Sequence, residues 1–232
     1  MNAARCAWLA LPLTFAAGCL SLLPVAPTPR DYRPDYTPPM LQHQRLPVVL
    51  RLAPVRVAAI YDREPFAYRR GPYRVGYYYY HRWATAPGQM LTDFFVRDFT
   101  LSGLYRAVQQ GPSVLLADYQ LDLRVERLEE EVKSAGCTAA IVVQATLQSL
   151  RPGAANPVRL QQVYTEVEQT RCNDPESFVA GVSQILSRLS RALQEDVYAA
   201  IAASEGEGLG QTSLFRPLPP ANARPLCVGG LS

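Results

Sequence analysis

Histidine is nearly missing, with only His43 and His81 in 232 residues, so no metal site can be assembled from histidines. There is no Cys-x-x-Cys pair for a structural zinc. A phosphate-cradling glycine loop followed by lysine is also absent. Gly206-Glu207-Gly208-Leu209-Gly210 imitates such a loop in part, but it falls in a tail without periodicity rather than between a strand and a helix. His81 and Asp62 have no nucleophile motif to complete a hydrolase set. These gaps point away from catalysis, and the chain reads as a protein that is not an enzyme, with neither metal nor cofactor. Lysine is reduced to Lys133, the other basic residues are arginines, and the formal net charge is only +3. That skew reads as genome composition, and a charge so small gives no reason to expect nucleic acid as a partner.

A long apolar run is missing too. Ala7 to Ala16 is interrupted by Pro12 and is shorter than the roughly 20 residues a membrane-spanning helix needs. With Arg5 ahead of it, the run reads as a secretory signal over residues 1–18. Ala16-Ala17-Gly18-Cys19 resembles a bacterial lipobox, although Ala16 stands where leucine is usual. Cys19 is then the lipid-anchor residue, and more than one acyl chain, palmitate among them, suffices for stable anchoring. The other reading is an ordinary signal peptide with Cys19 incidental. Leu20, rather than aspartate, after the cysteine favours the periplasmic face of the outer membrane.

Residues 19–46 carry Pro24, Pro27, Pro29, Pro34, Pro38 and Pro39, which oppose helix and sheet, so a disordered, extended tether is expected there. At roughly 3.1 Å per residue such a tether reaches on the order of 80 Å. Tyr32 and Tyr36 are the residues in it that can dock on a domain.

The folded domain is expected over residues 47–203. Leu50, Leu52, Val55 and Val57 give a first strand, with a bulge or edge position at Pro54. Phe66 to Tyr80 reads as an arm and a second strand. Pro87, an apolar face of Leu91, Phe94, Phe95 and Phe99, and a closing Gly103 define a helix. Leu104 to Val108 starts a strand. Tyr119, Leu121, Leu123 and Val125 alternate with polar residues as a strand with one buried face, and Glu129 to Glu131 is expected to be its solvated end. Ala139 to Leu150 and Val158 to Arg171 flank a Pro/Gly/Asn turn and read as an antiparallel hairpin. Asp174 as cap, Pro175 in the first turn and the series Phe178, Val182, Ile185, Leu189, Leu193, Val197, Ile201 define a long helix. Ser183, Ser187, Arg191 and Glu195 fall on its wet face. Residues 204–232 have no periodicity and are expected to be disordered.

Cys137 and Cys172 form a disulfide candidate in an oxidising compartment. A hairpin turn centred between Ala154 and Ala155 sets them opposite each other. The same register sets Ile141 and Val143 against Glu168 and Glu166, so a bulge is needed to reconcile the two patterns. Cys227 has no assigned role.

The segment from Tyr61 to Trp83 interleaves tyrosines with Arg63, Arg69, Arg70, Arg74 and Arg82. Half-buried packing of a strand against a helix accounts for such residues. So does a protein-binding surface, in which Tyr, Trp and Arg are enriched. On the second reading Tyr77, Tyr80, Arg82 and Trp83 are the partner-binding candidates.

Arg82-Trp83-Ala84-x-x-Pro87, then Leu91, Phe95 and Leu101-Ser102-Gly103-Leu104-Tyr105-x-x-Val108, resembles the ABC-type transport auxiliary lipoprotein family (PqiC-like). The resemblance covers about residues 50–203 and includes the order of the parts. The proline tether and the glycine-rich tail lie outside it. It implies an α+β fold, a two-layer α/β sandwich of a small mixed or antiparallel sheet with two main helices packed on one face. It also implies a lipid-anchored partner of an MCE-domain protein in an ABC system moving lipids across the envelope, with a homo-oligomer as a further expectation. The alternative is an assembly or scaffold lipoprotein that docks on an outer-membrane barrel or the cell wall.

Overall fold

The computed structural model describes residues 28–111, 115–153 and 156–212. The signal segment, Cys19 and Cys227 lie outside the described residues. The strands are β1 (Arg30–Tyr32), β2 (Leu46–Leu52), β3 (Arg56–Val57), β4 (Pro65–Arg70), β5 (Arg74–Trp83), β6 (Tyr105–Gln110), β7 (Tyr119–Lys133), β8 (Gly136–Ser149) and β9 (Val158–Thr170). The helices are α1 (Pro87–Leu101), between β5 and β6, and α2 (Pro175–Thr212), after β9. The fold is α+β, one mixed, open sheet with two helices.

The long strand β7 organises the sheet. One edge pairs antiparallel with β8, which pairs antiparallel with β9. Its other edge is filled by three short parallel strands laid end to end, β2, β3 and β4. The sheet then forks. β6 adds parallel to β2 at one end, and at the other β5 adds antiparallel to β4, with β1 parallel on β5. The break between β2 and β3 is where Pro54 was expected to interrupt a strand. Its open backbone is satisfied from outside, since the Val55 amide donates to Thr92 Oγ1 on α1 at 2.8 Å.

Helix α1 begins at Pro87 behind Ala86, which offers no capping side chain. The missing acceptor comes from Asp62, whose carboxylate takes the Gly88 amide at 2.9 Å, a favourable place for negative charge. A Cβ at Gly88 would meet Asp62 Oδ1 and the Val55 carbonyl at 3.2 Å, so this close approach suits glycine. Helix α2 begins as its sequence dictates, with Asp174 Oδ1 accepting the Ser177 amide at 3.0 Å. Its Phe178, Val182, Ile185, Leu189, Leu193, Val197 and Ile201 are all buried in one core with Phe94, Phe95 and Phe99 of α1.

Several expectations are corrected. The stretch from Arg30 to Leu46 is not a free tether. It supplies β1, Pro34 and Pro39 are buried, and Tyr36 donates to the buried Asp98 at 2.7 Å. Proline forbids a ladder or helix interior but permits an extended chain to lie on a surface. That chain covers Ser183, expected to be wet, whose Oγ accepts the Asp35 amide at 3.0 Å. Glu129 and Glu130 are 0% and 1% exposed, because β7 runs on to Lys133 and β4 covers its edge. Residues 204–212 continue α2, so the disordered tail does not begin at Ser204.

The hairpin register differs by two residues from the one expected. Cys137 faces Thr170 and Ile141 faces Glu166, with a shift between Leu147 and Gln148. Cys172 lies just past β9 and still joins Cys137 in a disulfide, their Cα atoms 5.1 Å apart.

Candidate docking surface

Two kinds of polar group surround β5: carboxylates that accept from their own neighbours, and exposed side chains that face solvent. Glu129 belongs to the first kind. It accepts from Arg69 at 2.6 Å, Arg127 at 2.7 Å and Tyr61 Oη at 2.8 Å. Burial pushes its pKa up, but these three donors outweigh burial and hold the carboxyl below its ordinary range. Glu130 points to the opposite face, as alternation requires, and receives the Tyr78 hydroxyl. Burial is there the larger effect and raises its pKa despite Tyr78 and Arg70.

Glu130 Oε1 is buried without a hydrogen-bond partner, whereas Asp98 on α1, like Glu129, is satisfied. Asp98 is fully buried and accepts from Tyr36, from Ser190 Oγ at 2.7 Å and from Arg97 Nε at 2.8 Å. Arg97 also stacks over the Tyr36 ring at 4.7 Å. The cluster fastens the N-terminal segment to both helices. Next to it, a groove of about 590 Å³ runs between Tyr32–Tyr36 and the Glu176–Ser187 face of α2. Among the described residues no group of three His, Cys, Asp or Glu side chains is placed to hold a metal ion. His81 and Asp62 are engaged separately, the first with Tyr32 Oη at 3.1 Å and the second at the start of α1.

The residues singled out as partner-binding separate into two groups. Trp83 is 2% exposed, its ring 4.4 Å from Phe66 and 5.8 Å from Phe178. It is a core residue and cannot present its ring to a partner, which corrects that expectation. Arg82 is surface-accessible but engaged, with Asp31 at 2.6 Å and Glu64 at 3.6 Å. Tyr77 is 36% exposed, donates to the Ile60 carbonyl at 2.9 Å and lies under Arg63. Tyr80 is half-buried and packs edge-on against Tyr79 at 4.7 Å.

The most exposed aromatic side chains here are two that were not singled out, Tyr79 at 83% and Tyr73 at 94%. Counting back from Trp83 in steps of two would place residues 81, 79 and 77 inside. The pairing shifts between Pro65↔Arg82 and Ala67↔Tyr77, and this bulge changes which face each tyrosine takes. Tyr78 therefore reaches the inner side and Glu130, while Tyr79 faces water. Four consecutive tyrosines conceal that change of face in the sequence.

Residues 33–194 match the family model of the ABC-type transport auxiliary lipoprotein component. The chain belongs to that family. An auxiliary lipoprotein of this family is a membrane-anchored protein of the cell envelope. Among solved structures, protein XCC0632 from Xanthomonas campestris is 22% identical, with a TM-score of 0.62 over 77% of this chain and 94% of that one. A second, uncharacterized protein is 14% identical, with a TM-score of 0.55 over 74% of this chain and 99% of the other. Both likenesses are of fold. No curated protein matches the chain. The match starts at Arg33, inside the segment expected to be a tether, so the auxiliary lipoprotein domain includes the Tyr36–Asp98 contact.

Proposed function

We propose that this auxiliary lipoprotein works by protein–protein contact, as the accessory partner of an MCE-domain protein in an ABC system that moves lipids between the inner and outer membranes. Cys19 carries the lipid anchor, and the domain stands at the periplasmic face of the outer membrane. The observation that carries the reading is the exposed aromatic row on β5, Tyr77 and Tyr79, beside Tyr73 at the hairpin tip. Tyrosine gives large contact area at modest entropic cost, and arginine beside it is enriched at contact hot spots, which suits docking. Of the carboxylates nearby, Glu129 is held by three internal donors, and Glu130 accepts the Tyr78 hydroxyl at one oxygen while its other oxygen is buried without a hydrogen-bond partner.

The test is affinity purification of the full-length, lipid-modified protein from detergent-solubilised membranes, followed by mass spectrometry. An MCE-domain protein, with its permease and ATPase, is the expected partner. Reproducible recovery of an outer-membrane barrel or a cell-wall protein instead would contradict the transport assignment.

A further inference from the structure

β5 is an edge strand along most of its length. β1 pairs only with His81, Arg82 and Trp83, and no described strand lies beside Arg74–Tyr80 on the side away from β4. An open edge is a row of backbone donors and acceptors that invites another strand, unless charge, proline or a covering element blocks it. The described residues ahead of β1 do not fill it. Thr28 and Pro29 are exposed and outside any strand.

The surroundings of the open edge have one sign. Arg74 stands at one end and Arg30, opposite His81, at the other, while Arg63 lies over the Tyr77 ring at 5.4 Å. All three arginines are exposed, and none is in an ion pair with a described carboxylate. The acidic side chains close by are already committed, Glu64 and Asp31 to Arg82 and Glu129 to Arg69 and Arg127. Arg70 adds a further cation over Tyr68 on the other face.

We propose that Arg74–Tyr80 is a strand-addition site for an extended acidic segment of a partner protein. The segment lies beside β5 in line with β1, its backbone completing the ladder. Its carboxylates meet Arg30 and Arg74 on one face, and its alternate apolar side chains rest on Tyr77 and Tyr79 on the other. Main-chain pairing supplies affinity, and the flanking side chains supply selectivity. The proposal deepens the contact reading above by naming the kind of segment bound, and it rests on that reading. Its test uses no natural partner, so the two can fail separately.

The experiment takes the full-length, lipid-modified protein in detergent and a labelled peptide of about eight residues alternating Glu and Val, long enough to span the edge at about 3.3 Å per residue. Two control peptides alternate Lys and Val, or Glu and Pro. Binding is read by fluorescence anisotropy and by amide hydrogen exchange. The Glu/Val peptide should slow exchange in residues 74–80 at least tenfold and leave β9 unchanged. The Lys/Val peptide should bind at least tenfold more weakly, and the Glu/Pro peptide, lacking alternate donors, should give no protection. Arg30→Glu combined with Arg74→Glu, both at exposed positions, should reverse the preference toward Lys/Val. The proposal is overturned by protection on β9 instead of β5, by equal binding of all three peptides, or by no binding. It is equally overturned if residues 74–80 are already protected in the free protein, because the chain itself or a second copy then fills the edge.

Discussion

At its C-terminal end β5 delivers Trp83 into the core at 2% exposure, while four residues earlier it leaves Tyr79 83% exposed. The same strand, rich in aromatics throughout, thus packs at one end and meets solvent at the other. The cause is the irregular pairing opposite Phe66, which turns the odd-numbered residues from the outer to the inner face. Aromatic character alone does not mark a binding residue. The face on which the backbone places the ring decides, and a bulge can change that face within four residues.

The comparison breaks most visibly in stability. Trp83→Ala removes a ring packed on Phe66 and Phe178 and should destabilise the domain by about 3–5 kcal/mol in urea unfolding. The matching substitution Tyr79→Ala should stay within about 0.5 kcal/mol of the parent, as exposed positions do. Partner capture should follow the reverse order once folding is controlled, lost with Tyr79→Ala and retained by whatever Trp83→Ala remains folded.

A smaller effect is expected at the disulfide, three strands across the sheet from β5. Replacing Cys137 and Cys172 together by serine should cost about 2–4 kcal/mol, through the closed loop that the disulfide removes from the unfolded chain. It should leave capture at β5 unchanged, since the bridge ties β8 to the turn before α2.

The smallest expected effects separate two neighbouring carboxylates. Glu129 has a depressed folded pKa, so its contribution is present above the unfolded value near 4.5 and is lost as pH falls through the folded value. Glu130 has a raised folded pKa, so its ionised form costs stability above that value and the cost disappears as pH falls toward 4.5. Glu129→Gln should therefore destabilise at neutral pH and flatten the acid limb of the stability profile. Glu130→Gln should be neutral or mildly stabilising at pH 7, with the Tyr78 hydroxyl still able to donate to the amide oxygen. Melting temperatures from pH 4 to 8 check both.

Periodicity made much of this fold legible. The apolar series from Phe178 to Ile201, the Asp174 cap, the alternation from Tyr119 and the Gly103 helix end are local signals, and each element forms where its residues dictate. What stayed hidden depends on partners remote in sequence. Glu129 and Glu130 look like a solvated strand end until Arg69, Tyr61 and Tyr78 are brought to them from β4, β5 and the loop before β4. The proline-rich segment looks free because nothing in it announces that Asp98 and Ser183, from two different helices, await Tyr36 and Asp35. At the candidate site the stretch was visible but the individual residues were not. Tyr77 and Arg82 do reach the surface, Trp83 does not, and the repeated tyrosines gave no means to pick Tyr79 over its neighbours.

The most direct measurement is site-specific photo-crosslinking in cells, with a photoreactive residue at Tyr79 and, for comparison, at Val163, which is 56% exposed on β9. The account predicts a crosslink from position 79 to an MCE-domain protein, and a weaker one or none from position 163. A crosslink to that protein from position 163 alone, or from position 79 only to an outer-membrane barrel, would contradict it.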